Sequence, residues 1–326
     1  MSFLAQYGLF ALKSITIIIA ILILVAGMVI ILGKKPKPKL EIHSLNEDYD
    51  EIKQRMHVDI KGKKSADKKP GKKEIKARRN RPSLFVLDFN GDMKASQVNQ
   101  LRDEITAVLS IAEEQDEVLV LLESPGGLVN AYGLAASQLQ RVRDRKIPLT
   151  VCIDKVAASG GYLMSCVANK IIAAPFAIIG SIGVVAQIPN VHRWLKKNNI
   201  DVELITAGEY KRTLTLLGEN TEKGRQKFKE DLELIHDAFR KYVVANRHQL
   251  DIDKVSTGEH WLATDAYDLK LVDALKTSDD YLIERMNSHN AFKISKHCKQ
   301  SKLDKLLKPA ANLMHSWFEK IGLRTI

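Results

Sequence analysis

Cysteine is scarce in this chain, and the scarcity excludes two kinds of protein at the outset. Only Cys152, Cys166 and Cys298 occur, in apolar or tail contexts, with no Cys-x-x-Cys pair and no histidine at ligand spacing. An odd, unpatterned set speaks against a disulfide framework and against a zinc site. Buried or incidental thiols are the default reading. A metal or nucleotide motif is also missing, so no cofactor is expected, and no internal repeat divides the chain. Charge is absent from one long stretch. Ile15 to Leu32 is a run of 18 residues without a charged side chain, nearly all Ile, Leu, Val, Ala or Met. At ~1.5 Å per residue it covers most of a ~30 Å hydrocarbon core, and Phe10 to Leu12 extend it. The run exceeds an ordinary signal-peptide h-region, and Gly33-Lys34-Lys35-Pro36 follows it instead of an Ala-x-Ala site. Residues 1–32 are therefore expected to hold a single transmembrane anchor, with membrane lipid as a partner.

What is abundant is positive charge, and its placement matters more than its size. The formal charge is +11, and the segment from Gly33 to Arg81 carries 17 Lys or Arg against 8 Asp or Glu. The rest of the chain is close to neutral, so no nucleic-acid partner is expected of a globular domain. Residues 33–81 are poor in aromatics and contain Pro36, Pro38, Pro70 and Gly71. Such a segment buries too little apolar surface to offset its ordering entropy and is expected to be a flexible basic tether. A short acidic helix over Asn46 to Met56 shows no strong period. Contact with anionic headgroups is the alternative to a solvated linker. Lys34, Lys35, Lys37 and Lys39 follow the span and only Lys13 precedes it, a bias that would leave the remainder in the cytoplasm.

From Pro82 the pattern changes to alternating strands and helices. Apolar strands are expected at Ser83–Phe89, Val118–Leu122, Ile147–Ile153, Ile171–Ala174 and Val202–Thr206. Helices are expected at Gln97–Ala112, Leu128–Arg145, Val191–Asn198 and Thr221–Arg247, from apolar residues at helical spacing. This alternation implies an α/β fold with a largely parallel sheet covered by helices, over residues 82–275. Function is then expected in loops at the carboxyl ends of strands. Residues 276–326 read as a helical tail, and Lys302 to Leu323 would suit either a membrane interface or a subunit contact.

Two such loops contain the chemistry. Val156-Ala-Ala-Ser-Gly-Gly-Tyr162 follows an apolar run and leads into a helical pattern. Ser159 there is either an N-cap, a common use of serine, or a nucleophile beside N–H groups that favour negative charge. Glu123-Ser-Pro-Gly-Gly127 follows a second buried strand. It is either an ordinary Pro-Gly turn or a place where a ligand approaches the backbone. In a parallel sheet both loops end at one edge, where the N–H groups of Gly127 and Gly160 can converge on one oxygen. An oxyanion hole of that kind is worth ~3–4 kcal/mol per donor in acyl transfer. No histidine stands in a suggestive setting to serve as base; His260, beside Trp261, is the best of them and reads as structural. Lys211, in a loop after the expected strand at 202–206, is either a solvated charge or a base whose burial removes its charge stabilisation.

Five motifs in order then match a known family: Ser124-Pro-Gly-Gly127, Ala158-Ser-Gly-Gly-Tyr162, Ala168-Asn-Lys-Ile-Ile-Ala173, Gly180-Ser-Ile-Gly-Val184 and Gly208-Glu-Tyr-Lys-Arg212. Over roughly residues 83–275 the chain resembles the SppA/SohB family of membrane-bound Ser–Lys peptidases. Ser159 and Lys211 are 52 positions apart, the interval at which that family places its serine and lysine. The resemblance implies a ClpP/crotonase-type fold of stacked ββα units, a homo-oligomer, and endopeptidase activity on apolar, extended peptides or protein segments. It further implies Ser159 as nucleophile, Lys211 as general base, Gly127 and Gly160 as oxyanion donors, and Ser181 orienting the lysine. A single-pass protein of the bacterial inner membrane follows from it; the resemblance suggests a soluble domain outside the cytoplasm and the charge bias one inside, so the side stays open. A crotonase-like acyl-CoA enzyme and a catalytically silent membrane scaffold are the competing readings.

Overall fold

Successive side chains of strand Ser83–Asn90 point to opposite faces, and both faces are buried. Phe85, Leu87 and Phe89 join one core, whereas Leu84 and Val86 join a second. Covering both faces is what makes the strand read as a continuous apolar run rather than an alternating one. The computed structural model describes residues 3–32, 39–62 and 80–297, with side chains in the first segment given for residues 6–21. Two units separate, residues 1–39 with 297–326, and residues 40–296.

In the first unit, α1 (Phe3–Leu32) is a single helix of 30 residues. Among the described residues no helix is long and apolar enough to cross a membrane. The described side chains of α1 end at Ile21, inside the expected span. The helix expected at 302–323 and Cys298 lie outside the described residues.

The second unit begins with β1 (Lys39–Ser44), α2 (Leu45–Lys61), β2 (Ser83–Asn90), α3 (Val98–Val108), β3 (Glu117–Glu123) and α4 (Val129–Asp144). Next come β4 (Leu149–Ile153), β5 (Val156–Ala158), α5 (Gly160–Ser165), β6 (Lys170–Ala173), β7 (Ile178–Gly180), α6 (His192–Lys197) and α7 (Glu222–Asn246). The described elements end with α8 (Ile252–Val255), β8 (His260–Leu262), α9 (Ala263–Asp268), β9 (Ala274–Leu275), α10 (Ser278–Met286) and β10 (Asn290–His297). A seven-stranded sheet has the order β1-β10-β2-β3-β4-β6-β9, and a three-stranded sheet the order β5-β7-β8. The pairs from β10 through β9 are parallel, as is β5 with β7, while β8 joins antiparallel. β4 and β6 each lie in the large sheet, and the strand that follows each, β5 and β7, lies in the small one. That is the expected α/β arrangement of ββα units with a mostly parallel sheet.

Three expectations about boundaries are corrected. The tether over 33–81 is interrupted by β1 and α2, which belong to the same unit as the sheet. α2 carries an apolar row, Leu45, Tyr49, Ile52, Met56 and Ile60, yet buries no residue, and Ser44 caps its N-terminus by accepting from Glu47 N–H. Asn46 anchors it instead. Its amide donates to the Met286 and His289 carbonyls at 3.2 and 3.3 Å and accepts from Ala291 N–H at 2.6 Å. The α/β domain likewise does not stop at 275, because β10 inserts between β1 and β2. Its lysines masked it: Lys293 pairs with Asp88 at 2.5 Å and Lys296 with Asp103. Finally, Val202–Thr206 is not a strand, and Leu204 and Ile205 are exposed.

Candidate active site

β3, β5 and β7 run parallel and end side by side. Ser124, one residue past β3, bridges to Ala157, and Ala158 pairs with Gly180. The Pro-Gly-Gly loop, Ser159 and Ser181 are therefore all delivered to one sheet edge. Ser159 occupies the N-cap position of α5, but its side chain makes no capping bond. Its backbone sits at φ 51°, ψ −116°, a conformation that L-residues rarely adopt. The Ser159 N–H donates to Gly180 C=O at 2.8 Å, and the Ser159 C=O accepts the first helical bond from Leu163 at 2.9 Å. With both backbone groups committed, the N-cap reading holds for position and fails for the hydroxyl.

Gly126 and Gly127 lie against this turn. Gly126 has φ +92°, and a Cβ there would fall 2.8 Å from the Gly160 nitrogen and from Ser159 Cβ. A Cβ on Gly127 would fall 2.2 Å from the Met93 carbonyl oxygen, and Leu128 N–H donates to that same oxygen at 2.9 Å. Only glycine permits either approach. Among the described residues, neither the Gly127 nor the Gly160 N–H has a hydrogen-bond acceptor, and a helix start leaves its first N–H groups free in any case. Two free donors beside an uncapped, partly exposed serine form a site suited to an oxyanion.

These residues open on a cleft of about 1330 Å³, walled by α4, α5 and α7. Leu163, Ile235, Phe239 and Tyr242 make its apolar side. Ser181 lines it too, at φ 52°, with its N–H donating to Glu259 C=O at 2.6 Å. Sequence reading passed over His236, which also lines the cleft from the long helix, its Nε2 3.3 Å from the Ile182 carbonyl. His260 lies exposed on β8, and His289 lies near Arg285, where burial pulls its pKa below the usual imidazole range. Cys152 and Cys166 are buried, which pushes both thiols up to about 12 and leaves them inert. No group of His, Cys, Asp or Glu suited to a metal ion occurs among the described residues.

Lys211 is not brought to the serine within this chain. It is exposed and does not line the cleft. Its neighbour Tyr210 stacks near Lys223 and Lys227 at the start of α7, at 5.9 and 5.7 Å. Glu209 pairs with Lys223 at 2.6 Å, and that bond holds its carboxyl below the usual range. The resemblance alone, with no contact in the structure, links Ser181 to Lys211.

Beneath the loops is a buried pair that the sequence did not single out. Ser124 Oγ and Tyr132 Oη are 2.6 Å apart, Tyr132 donates to Asp92 C=O at 2.8 Å, and Gly126 N–H donates to Ser124 Oγ at 3.1 Å. Tyr132 packs edge-on against Phe89, with centroids 6.4 Å apart, and its burial raises the phenol pKa and keeps it protonated. In sequence Tyr132 is only one member of the buried stripe of α4, with Ala135, Ala136 and Leu139.

Residues 2–139 match the family described as "Peptidase family S49 N-terminal", and residues 141–293 match "Peptidase family S49". A "Probable protease SohB" of Haemophilus influenzae is 47% identical over 97% of this chain and 97% of its own. The chain belongs to peptidase family S49. This S49 member is also 48% identical to a "Probable protease SohB" of Buchnera aphidicola subsp. Schlechtendalia chinensis, over 87% of this chain and 100% of that one. Among solved structures, the 1510-N membrane protease specific for a stomatin homolog from Pyrococcus horikoshii is matched at 14% identity and a TM-score of 0.41, over 71% of this chain and 98% of that one. The protein is thus a protease of a serine-type family. The Pro-Gly-Gly loop lies in the first matched region and Ser159 in the second, so the candidate site draws on both.

Proposed function

We propose that this S49 protease is a membrane-anchored serine endopeptidase that works through an acyl-enzyme on Ser159. The observation that carries the reading is the uncapped Ser159 hydroxyl on a strained turn, flanked by the free N–H groups of Gly127 and Gly160. Lys211, as a neutral amine, takes the hydroxyl proton as Ser159 Oγ attacks the scissile carbonyl, and then passes it to the leaving amine. Water, deprotonated by the same amine, hydrolyses the ester and regenerates the serine. Gly127 and Gly160 bind the tetrahedral oxyanion in both halves, and Ser181 orients the lysine. No step needs a cofactor. The apolar wall of the cleft suits extended apolar peptides, such as signal-peptide remnants or unfolded segments. The anchor is α1, whose sequence from Ile15 to Leu32 carries no charge. A reporter fused at the C-terminus reads which side of the membrane the protease domain occupies.

Because Lys211 lies outside its own cleft, it arrives either by closure of its loop or from a second copy in a homo-oligomer. Exposed Val185, Trp194 and Ile205 favour the second route. A serine-directed phosphonate should label the wild type and not Ser159→Ala. Mixing Ser159→Ala with Lys211→Ala, each inactive alone, should restore activity if the dyad forms between copies, and not if the loop closes within one. An unlabelled wild type would point to the silent scaffold, and thioester chemistry retained by Ser159→Ala to the acyl-CoA reading. A fully active Lys211→Ala removes the dyad.

A further inference from the structure

The hydrogens of the buried pair can be assigned from the chemistry of its ends. The Asp92 carbonyl only accepts, so the single Tyr132 hydroxyl hydrogen goes to it. Ser124 must then donate to Tyr132 Oη, which leaves its own oxygen to accept from Gly126 N–H. The result is one directed chain: Gly126 N–H to Ser124, Ser124 to Tyr132, and Tyr132 to the Asp92 backbone. Bonds in such a chain polarise one another, and a low-dielectric interior strengthens them.

Its upper end is the residue that must hold φ +92° for Gly127 to present its N–H. The other donor meets the same tyrosine. A Cβ on Gly160 would fall 2.4 Å from Tyr132 Cγ, so the Gly160 backbone rests directly on the ring. Gly91 leaves room for the pair, since a Cβ there would sit 2.3 Å from Ser124 Oγ and 2.4 Å from Tyr132 Oη. One side chain thus bears on both arms of the hole, on one through Ser124 and Gly126 and on the other directly through its ring.

We propose that Tyr132 and Ser124 are positioning residues that set the spacing of the Gly127 and Gly160 donors and so tune oxyanion stabilisation. This rests on Ser159 being the acyl nucleophile. The hole binds charge that develops after the substrate has docked, so its loss should lower kcat and spare KM.

The test uses the full-length protein in detergent. Tyr132→Phe keeps the ring and removes only the hydroxyl, and Ser124→Ala removes the next link. Each is expected to lower kcat roughly tenfold, about the weight of one misplaced donor, with KM changing less than about twofold. Inhibition by a peptide aldehyde, whose adduct places an oxyanion in the hole, should weaken by the same factor, and binding of the matching peptide alcohol should not. The double variant should resemble the singles, because all cut one chain. A fall in melting temperature with kcat and aldehyde affinity retained would mean a structural role only and would overturn the proposal. If Tyr132→Phe does not fold, Ser124→Ala carries the same comparison. Activity surviving in Ser159→Ala defeats the underlying mechanism, whereas an inactive Ser159→Ala beside an unimpaired Tyr132→Phe defeats the positioning role alone.

Discussion

Ser159→Gly is expected to give a protein that is more stable than the wild type and has no peptidase activity. The serine is held at φ 51°, ψ −116°, with its N–H bonded to Gly180 and its hydroxyl bonded to nothing that would repay the strain. Such a backbone costs of order 1–3 kcal/mol in an L-residue, and glycine adopts it without a Cβ clash. The greater freedom of glycine in the unfolded chain offsets about 0.5–1 kcal/mol of the gain. A net rise near 1 kcal/mol should lift the melting temperature by roughly 2–4 °C. Ser159→Ala keeps the Cβ, and therefore the strain, and should melt close to the wild type. Both variants lose the nucleophile, for which a loss on the order of 10⁶ in kcat is expected. Calorimetry and peptide hydrolysis on the same preparations check the pair. A glycine variant less stable than the alanine one would show that the turn is unstrained.

The largest stability effect is expected at Asp273. Its carboxylate accepts from Arg247 Nη2 and Nη1 at 2.7 and 2.8 Å and from the Ile171 N–H of β6 at 2.7 Å. Arg247 follows α7 directly, its side chain is 4% exposed, and Nη2 also donates to Lys270 C=O at 3.0 Å. Asp273→Ala leaves a guanidinium buried without its counter-charge, a change that costs about 3–5 kcal/mol. For a domain of this size the melting temperature should fall by roughly 10 °C. Arg247→Met should cost less, because the Asp273 side chain is 29% exposed and can turn to water. Phe239 and Tyr242, one to two turns before Arg247, line the cleft, so peptide KM should rise in Asp273→Ala below its melting point. Equal melting of both variants would mean that the pair adds little.

Much of the fold was legible because its strands are buried on both faces and its helices on one. β2, β3, β4 and β6 read directly as apolar runs, and α4 and α7 as periodic stripes ended near their observed bounds. Elements held by polar contacts were less legible. The short acidic helix read over Asn46 to Met56 is part of α2, which hangs on the Asn46 amide, whereas β10 hides its pairing behind Lys293 and Lys296, whose charges are met by Asp88 and Asp103 far away in sequence. The expected strand at 202–206 failed for the opposite reason. Its residues are apolar, but no neighbouring strand covers them, and Ile205 stays exposed.

The candidate site divides along the same line. Local sequence was enough to put Ser159 and the glycines of both loops at strand-to-helix turns, because small residues between an apolar strand and a helix leave few other backbone courses open. It also determined the covalent order of the family motifs, and with it membership of S49. It could not tell a capping hydroxyl from a free one, since that depends on where the Gly180 carbonyl lies and on a positive φ imposed by three converging strands. Nor could it find Tyr132, whose place in the α4 stripe looks like ordinary core until the Pro-Gly-Gly loop and the Gly160 backbone come to rest on it. Lys211 marks the remaining division: its sequence interval to Ser159 suits a dyad, yet it is exposed and does not line the cleft. Bond-level neighbours are written in the chain, but distances between its loops are set only when the sheets assemble.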